Sequence, residues 1–174
     1  MLAMIVQGCG FQLRGSLDIS PDVSPLYLQQ NSVIELGREI KSLLATNKVA
    51  LSDDLTQANS QLVLLNETKQ SRVLSVDSSG RAREYSLTYT ANFIISAQKT
   101  DLDDVQLKQQ QDSITLSRTL LFDSDAVLAV TNESELLYKE MRRNAARLIL
   151  LKLQARLRDQ PASNGNSLES DKVK

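Results

Sequence analysis

The sequence contains no histidine and no tryptophan, and it has one cysteine among 174 residues. Without histidine, the chain lacks the commonest general base and metal ligand of proteins. A single cysteine excludes an intramolecular disulfide. One cysteine and no histidine are also too few of the usual ligands for a zinc site. No apolar run approaches the ~20 residues that cross a bilayer as a helix. These absences predict a protein that is not an enzyme and that holds neither a metal nor a cofactor.

An excess of charge of either sign is also missing. Twenty basic and 21 acidic side chains give a net charge of -1, so there is no overall attraction to nucleic acid. Aromatic residues make up 4% of the chain and hydrophobic residues 41%. The core must therefore be built mostly from Leu, Ile, Val and Ala. The length predicts one domain with a sizeable core.

The single cysteine follows a short apolar N-terminus. Residues 1–6 are apolar, and Gln7-Gly8 separates them from Cys9. A small residue before a cysteine, after an apolar run, is typical of a lipoprotein cleavage site. Cys9 would then be the first mature residue and carry acyl chains, each buried methylene adding about 0.8 kcal/mol of membrane affinity. The alternative is an ordinary buried cysteine. Because no Lys or Arg precedes the apolar run, residues 1–8 are interpreted as the remnant of a signal peptide.

The first half of the chain predicts a short strand and a helix. Leu26-Tyr27-Leu28 has the composition of a strand. Ser32 begins a helix, with Glu35 at capping-box spacing. Asn47 is a reasonable left-handed end for that helix. The next residues, 49–51, read as a short extended piece.

Three longer strands follow, over residues 61–76, 84–98 and 113–122. The turn Asp77-Ser78-Ser79-Gly80 joins the first two as a hairpin. Apolar residues from Tyr85 to Ala97 alternate with Ser, Thr and Asn, so one face packs and the other meets a polar environment. Because this strand exceeds the usual ~5–6 residues, the hairpin is expected to project beyond the sheet.

A second helix is predicted to begin at Asn132, with Glu135 at the capping-box position. Its expected end is Arg158, since residues 159–174 have the polar composition of a disordered tail. Its expected buried stripe consists of Leu137, Met141, Ala145, Leu148, Leu151 and Ala155. Tyr138, Ile149 and Leu153 are expected to widen this stripe.

The order of elements is strand, helix, three strands, helix. It predicts an α+β fold, a two-layer sandwich with two helices on one face of a four-stranded, mostly antiparallel sheet. The hydroxyl-rich opposite face is either an ordinary solvent-facing side or a wet contact surface, such as the lining of a β-barrel lumen. The acidic clusters Asp53-Asp54 and Asp101/Asp103/Asp104 lack calcium-loop spacing and are interpreted as solvated turns.

The run Cys9-Gly10-Phe11-Gln12-Leu13-Arg14-Gly15 resembles the mature start of the LptE family, lipoprotein partners of the outer-membrane lipopolysaccharide translocon. That family begins with Cys-Gly, an aromatic residue, a polar residue, Leu and Arg. A second patch is similar to the family's last helix. It comprises Lys139-Glu140-Met141, Ala145-Ala146, Leu148-Ile149 and Lys152-Leu153. The resemblance extends over residues 9–158, and it implies a single domain with the sandwich fold described above.

The resemblance also implies a function. It identifies an outer-membrane lipoprotein, held to the periplasmic side of the membrane by a covalent lipid on Cys9. Gly10 in place of Asp after the cysteine permits export to the outer membrane. The partners implied are the LptD β-barrel and lipopolysaccharide. The chain would plug the barrel, support its assembly and assist delivery of lipopolysaccharide to the outer leaflet.

Four basic residues flank the predicted hairpin turn: Lys69, Arg72, Arg81 and Arg83. Guanidinium groups bind phosphates in bidentate geometry. With the family's role, this makes the four residues candidates for binding lipopolysaccharide. The alternative is a solvated hairpin tip with charge pairs across the strands. A different class of function also stays open, that of a stand-alone periplasmic binding protein for an anionic amphiphile, which would need an apolar pocket between helices and sheet.

Overall fold

The computed structural model describes residue 19 and residues 21–97, 111–122 and 127–158. The predicted signal remnant (1–8), Cys9 and the predicted tail (159–174) lie outside the described residues. The helices and strands are β1 (Leu26–Gln29), α1 (Ile34–Thr46), β2 (Leu51–Ser52), β3 (Ser60–Val76), β4 (Ala82–Ala97), β5 (Gln111–Leu121) and α2 (Val127–Arg158). Two short 3₁₀ turns, Pro21–Val23 and Leu55–Gln57, complete them.

The sheet has five strands in the order β2-β1-β3-β4-β5, so the prediction of four was wrong. The additional strand is β2, which pairs in parallel with β1 through only two residues. Strand β1 is also parallel to β3, whereas β3, β4 and β5 are antiparallel. The sheet is therefore mixed. Because β2 has only two residues, it shows no alternation of apolar and polar side chains from which the sequence could distinguish a strand from a loop.

The α+β class and the packing of both helices on one face are as predicted. Odd-numbered residues of β4 from Leu87 to Ile95 are at most 2% exposed, while the residues between them lie on the open face. The core contributed by α1 consists of Leu36, Ile40 and Leu44, each 0% exposed. Met141, Ala145, Ile149 and Leu153 of α2, also 0% exposed, complete the layer. These aliphatic contacts hold the helices on the sheet because they remove apolar surface from water.

The predicted N-terminal capping box of α1 does not form, whereas Asn47 is the C-cap residue, as predicted, but is not left-handed. The helix begins at Ile34, and the residue at its N-cap, Val33, makes no side-chain capping bond. Glu35 instead accepts a hydrogen bond from Arg38 at 2.8 Å. At the other end Asn47 has φ -93°, and the left-handed conformation belongs to Lys48 (φ 57°).

Helix α2 begins at Val127, five residues before the predicted cap, so Asn132 lies inside the helix. Its buried stripe also differs from the prediction. Met141 and Ala145 are buried as expected, but Leu148 and Leu151 are 41% and 42% exposed, and Ala155 is exposed as well. Tyr138, Ile149 and Leu153 are buried, as expected for the residues that widen the stripe, and Ala146 and Leu150 are buried beside them. The face that packs is therefore rotated toward these five residues. The outer face of α2 is therefore more apolar than the sequence suggested.

Candidate binding surfaces

Strands β3 and β4 form a long hairpin whose turn is organised by Asp77. Its Oδ1 accepts hydrogen bonds from the backbone N–H groups of Ser79 (2.8 Å) and Arg81 (2.9 Å). Its Oδ2 lies 3.2 Å from Nε of Arg81. The bond from the Arg81 backbone is the largest cause that lowers the pKa of Asp77 below its usual value. Gly80 supplies the positive φ of 79° that the turn requires.

The hairpin does not bring the four predicted basic residues into one cluster. Lys69 is on the helix side of β3, where its Nζ lies 3.1 Å from Oε2 of Glu135 and 5.1 Å from the Tyr138 ring centre. Arg81 is paired with Asp77 in the turn. Two of the four cations are therefore held by carboxylates of this chain.

Arg72 and Arg83 form no ion pair within the described part of the chain. Arg72 is opposite Ser86 on the open face. Arg83 lies where the β3–β4 register shifts, and its carbonyl accepts the Phe122 N–H at 2.8 Å. Both side chains are exposed. They are the two predicted residues that remain available to an anionic ligand.

The same end of the hairpin carries four exposed apolar side chains, on both faces of the sheet, that the sequence reasoning missed. These side chains are exposed by 48% to 70%, and they are Val73, Leu74, Val76 and Leu121. A register shift between Val73 and Ser75 interrupts the strict alternation of faces. The signal for this exposure was the consecutive pair Val73-Leu74, which cannot place both side chains on one packed face. Together with Arg72 and Arg83, these exposed side chains at one end of the hairpin suit a ligand with both anionic and hydrocarbon parts.

The open face of the sheet is neutral along most of the hairpin. Hydroxyl pairs join Thr88 to Ser117 and Thr90 to Thr115, each at 3.1 Å, and Asn92 donates to an amide of β3. By register, the uncharged positions of this face include Gln61, Val63, Asn66, Thr68, Gln70, Ser86, Thr88, Thr90, Asn92, Ile94, Ser96, Gln111, Ser113, Thr115, Ser117 and Thr119. Such a surface can exchange hydrogen bonds with water or a polar partner without burying a charge.

A group of charged side chains lies between the sheet and the helices. Nε of Arg142 is 3.3 Å from Oε2 of Glu67, and the Tyr89 hydroxyl donates to the same oxygen at 2.6 Å. Burial and this hydrogen bond raise the pKa of Tyr89 far above its ordinary value. Nη1 of Arg142 also lies 3.8 Å from Glu35 of α1. Because Arg142, Glu67 and Tyr89 each have a partner in the group, this network joins the layers rather than presenting a reactive group.

A second buried acid, Asp112 of β5, is 8% exposed at its side chain and is shared by two cations of α2. Its Oδ1 lies 2.8 Å from Nζ of Lys152, and its Oδ2 lies 3.2 Å from Nη1 of Arg156 without a well-directed hydrogen bond.

The described residues contain no group of three potential metal ligands. Asp54 caps its own 3₁₀ turn by accepting from Thr56, and residues 101–104 lie outside the described ranges.

Neither helix of the described chain has an apolar segment long enough to cross a membrane.

A family model described as "LptE: Lipopolysaccharide-assembly" matches residues 23–153. A protein of Pectobacterium atrosepticum named LPS-assembly lipoprotein LptE is 26% identical over 155 residues, covering 88% of this chain and 80% of that protein. A protein of Yersinia enterocolitica with the same name is 25% identical over 178 residues, covering 99% and 82%.

Solved structures agree with the fold. The crystal structure of the rare lipoprotein B from Shewanella oneidensis superposes with a TM-score of 0.68 at 28% identity, covering 76% of this chain and 96% of that one. The solution structure of a lipoprotein B from Nitrosomonas europaea gives 0.69 at 24% identity, covering 87% and 94%. The second match supports the fold only.

Proposed function

This chain belongs to the LptE family of lipopolysaccharide-assembly proteins, and from that membership we propose that it is the lipoprotein plug of an LptD β-barrel. In this proposal Cys9 carries the lipid anchor at the periplasmic side of the outer membrane. The folded domain occupies the barrel lumen, supports barrel assembly and assists lipopolysaccharide delivery to the outer leaflet.

The open face of the long hairpin, which is uncharged along most of its length, is the observation that carries this proposal. Strand β3 has 17 residues and β4 has 16, which at ~3.3 Å per residue correspond to about 55 Å. This exceeds the ~30 Å hydrocarbon core of a bilayer. A barrel lumen is lined by polar side chains. The hydroxyls and amides of the open face can form hydrogen bonds with these side chains, and no charged group has to be buried in the contact.

For lipopolysaccharide contact, we propose Arg72 and Arg83 as the phosphate-binding residues, with Val73, Leu74 and Val76 against acyl chains. Lys69 and Arg81 have weaker roles because each must first leave a carboxylate. The test is binding of purified lipopolysaccharide to a variant with Arg72→Gln and Arg83→Gln. Its control is Lys41→Gln with Lys48→Gln, which removes the same charge from exposed positions on and after α1. An equal loss in both variants contradicts a specific site.

The plug itself is tested by expressing the full-length form, with a complete upstream signal, in a Gram-negative envelope. We expect a triacylated N-terminal Cys9 by intact mass, and a co-purifying heat-modifiable β-barrel in detergent. An unmodified Cys9 in a monomeric protein without a barrel would refute the plug. Saturable lipid binding by that monomer would then favour the stand-alone binding protein.

A further inference from the structure

The outer face of the C-terminal half of α2 is an exposed strip of aliphatic and basic side chains. Leu148 and Leu151 are 41% and 42% exposed. At 100° per residue, Arg147, Ala155 and Arg158 fall within the same arc of about 100°, and all three are exposed. We call these five residues the outer strip. An apolar stripe flanked by arginines is the pattern of a helix that lies on a membrane surface.

The charge of this helical half has one sign. Residues 141–158 contain six basic residues and no acidic residue, and the six are Arg142, Arg143, Arg147, Lys152, Arg156 and Arg158. Four of them face carboxylates of other elements, whereas Arg147 and Arg158 form no ion pair within the described ranges. The helix dipole favours cations only in the last turn, so it does not account for Arg147. The unbalanced positive charge is complementary to an anionic surface.

The position of the strip in the fold agrees with this complementarity. Asp112, which binds Lys152 and Arg156, is opposite Phe93 toward the end of β4 that is distant from the hairpin turn. The chain enters the fold at this same end, because the buried Ser60 hydroxyl at the start of β3 donates to the Val23 carbonyl at 2.7 Å. The 3₁₀ turn Pro21–Val23 packs against α2.

In the sequence, the proposed anchor precedes the part of the chain that enters the fold at the end where the strip lies. Cys9 is ten positions before Ile19, and a chain of that length spans at most about 35 Å when fully extended. The hairpin turn lies at the opposite end of the sheet. A lipid on Cys9 would thus bring the basic half of α2, and not the hairpin tip, toward the membrane surface.

We propose that the outer strip is a second membrane contact, in which Arg147 and Arg158 bind the phosphates of anionic lipids and Leu148 and Leu151 enter the interfacial region. This inference rests on the membrane location in the proposed function, but it does not require a barrel or lipopolysaccharide. The acyl chains proposed on Cys9 hold the protein to the membrane, and a basic patch adds electrostatic attraction to anionic lipids at the surface. The strip would also fix the orientation of the domain relative to the membrane.

The test uses the full chain with Cys9→Ser, so that acylation cannot contribute. Partition onto phosphatidylcholine vesicles is compared with partition onto vesicles that also contain phosphatidylglycerol. We expect binding only to the anionic vesicles, weakened by salt. Arg147→Glu with Arg158→Glu should reduce the partition coefficient by about tenfold or more. Leu148→Asn with Leu151→Asn should reduce the fraction that remains bound at high salt.

Two further variants keep the result specific. Lys41→Glu with Lys48→Glu makes the same change of net charge away from the strip and should retain binding. Arg72→Glu with Arg83→Glu tests the hairpin as the rival surface. The proposal fails if the parent chain does not bind anionic vesicles, if the control pair loses as much binding as the strip pair, or if only the hairpin pair loses it. Loss of barrel co-purification with intact vesicle binding would refute the plug and not the strip.

Discussion

Arg142 of α2 and Glu67 of β3 form an ion pair across the two layers, with Nε and Oε2 3.3 Å apart. Their side chains are 11% and 22% exposed. Breaking a buried pair by removing one partner costs more than the pair contributes, because the other charge stays buried without compensation. The pair therefore fixes the position of α2 on the sheet.

Arg142→Ala should lower the free energy of unfolding by about 3 kcal/mol, measured by denaturant titration. Arg143→Ala is the matched control, since that side chain is 62% exposed and 3.7 Å from Glu39. An exposed pair of this kind contributes about 0–1 kcal/mol. Equal losses in the two variants would contradict a special role for Arg142.

Tyr89→Phe should cost about 1–2 kcal/mol, because Glu67 loses a hydrogen-bond donor in the interior. Burial and the bond to Glu67 raise the pKa of Tyr89, so the folded state retains the phenol proton more strongly than the unfolded state. The stabilisation is present below the unfolded pKa of about 10 and is lost as the pH rises above it. Alkaline unfolding should therefore be steeper in the parent protein than in the variant. Parallel pH profiles would argue against the raised pKa.

The sequence predicted those parts of the fold that follow from local periodicity. The alternation in β4 correctly gave both its packed face and its hydroxyl-rich face. The buried side of α2 was predicted only in part, because that helix carries two overlapping apolar stripes. The face that packs includes Arg142, which is acceptable in the interior only because Glu67 meets it there. That partner is 75 residues away in the sequence, and no local pattern reports it.

The candidate site shows the same limit. A hairpin flanked by four cations was visible in the sequence, and the pairing of Asp77 with Arg81 is local enough to be anticipated. Glu135, which holds Lys69, is 66 residues away. The exposure of Leu148 and Leu151 likewise depends on how α2 is rotated over the sheet. Which charges and leucines remain available is decided by tertiary contacts.

The pairing of Lys69 with Glu135 gives a prediction for ligand binding. Glu135→Gln should release Lys69 and increase the affinity for lipopolysaccharide by about twofold to fivefold, since an exposed pair contributes up to about 1 kcal/mol. Glu133→Gln removes the same charge from an exposed position two residues earlier in α2. This variant should change the affinity less. Isothermal titration of both variants compares them. Equal gains would mean that net charge alone is responsible and that Lys69 takes no direct part.

The neutral open face gives a prediction for the barrel partner. Thr115→Glu introduces a carboxylate beside Thr90 on that face. Burying it against a polar lumen without a cation would be costly, so co-purification with the barrel should fall sharply. Stability of the isolated domain should change by less than about 0.5 kcal/mol, because the position is exposed. Ser42→Glu adds the same charge on the exposed side of α1 and should leave the complex intact if the sheet face is the contact. The opposite outcome, with Ser42→Glu disrupting and Thr115→Glu tolerated, would assign the barrel contact to the helical layer.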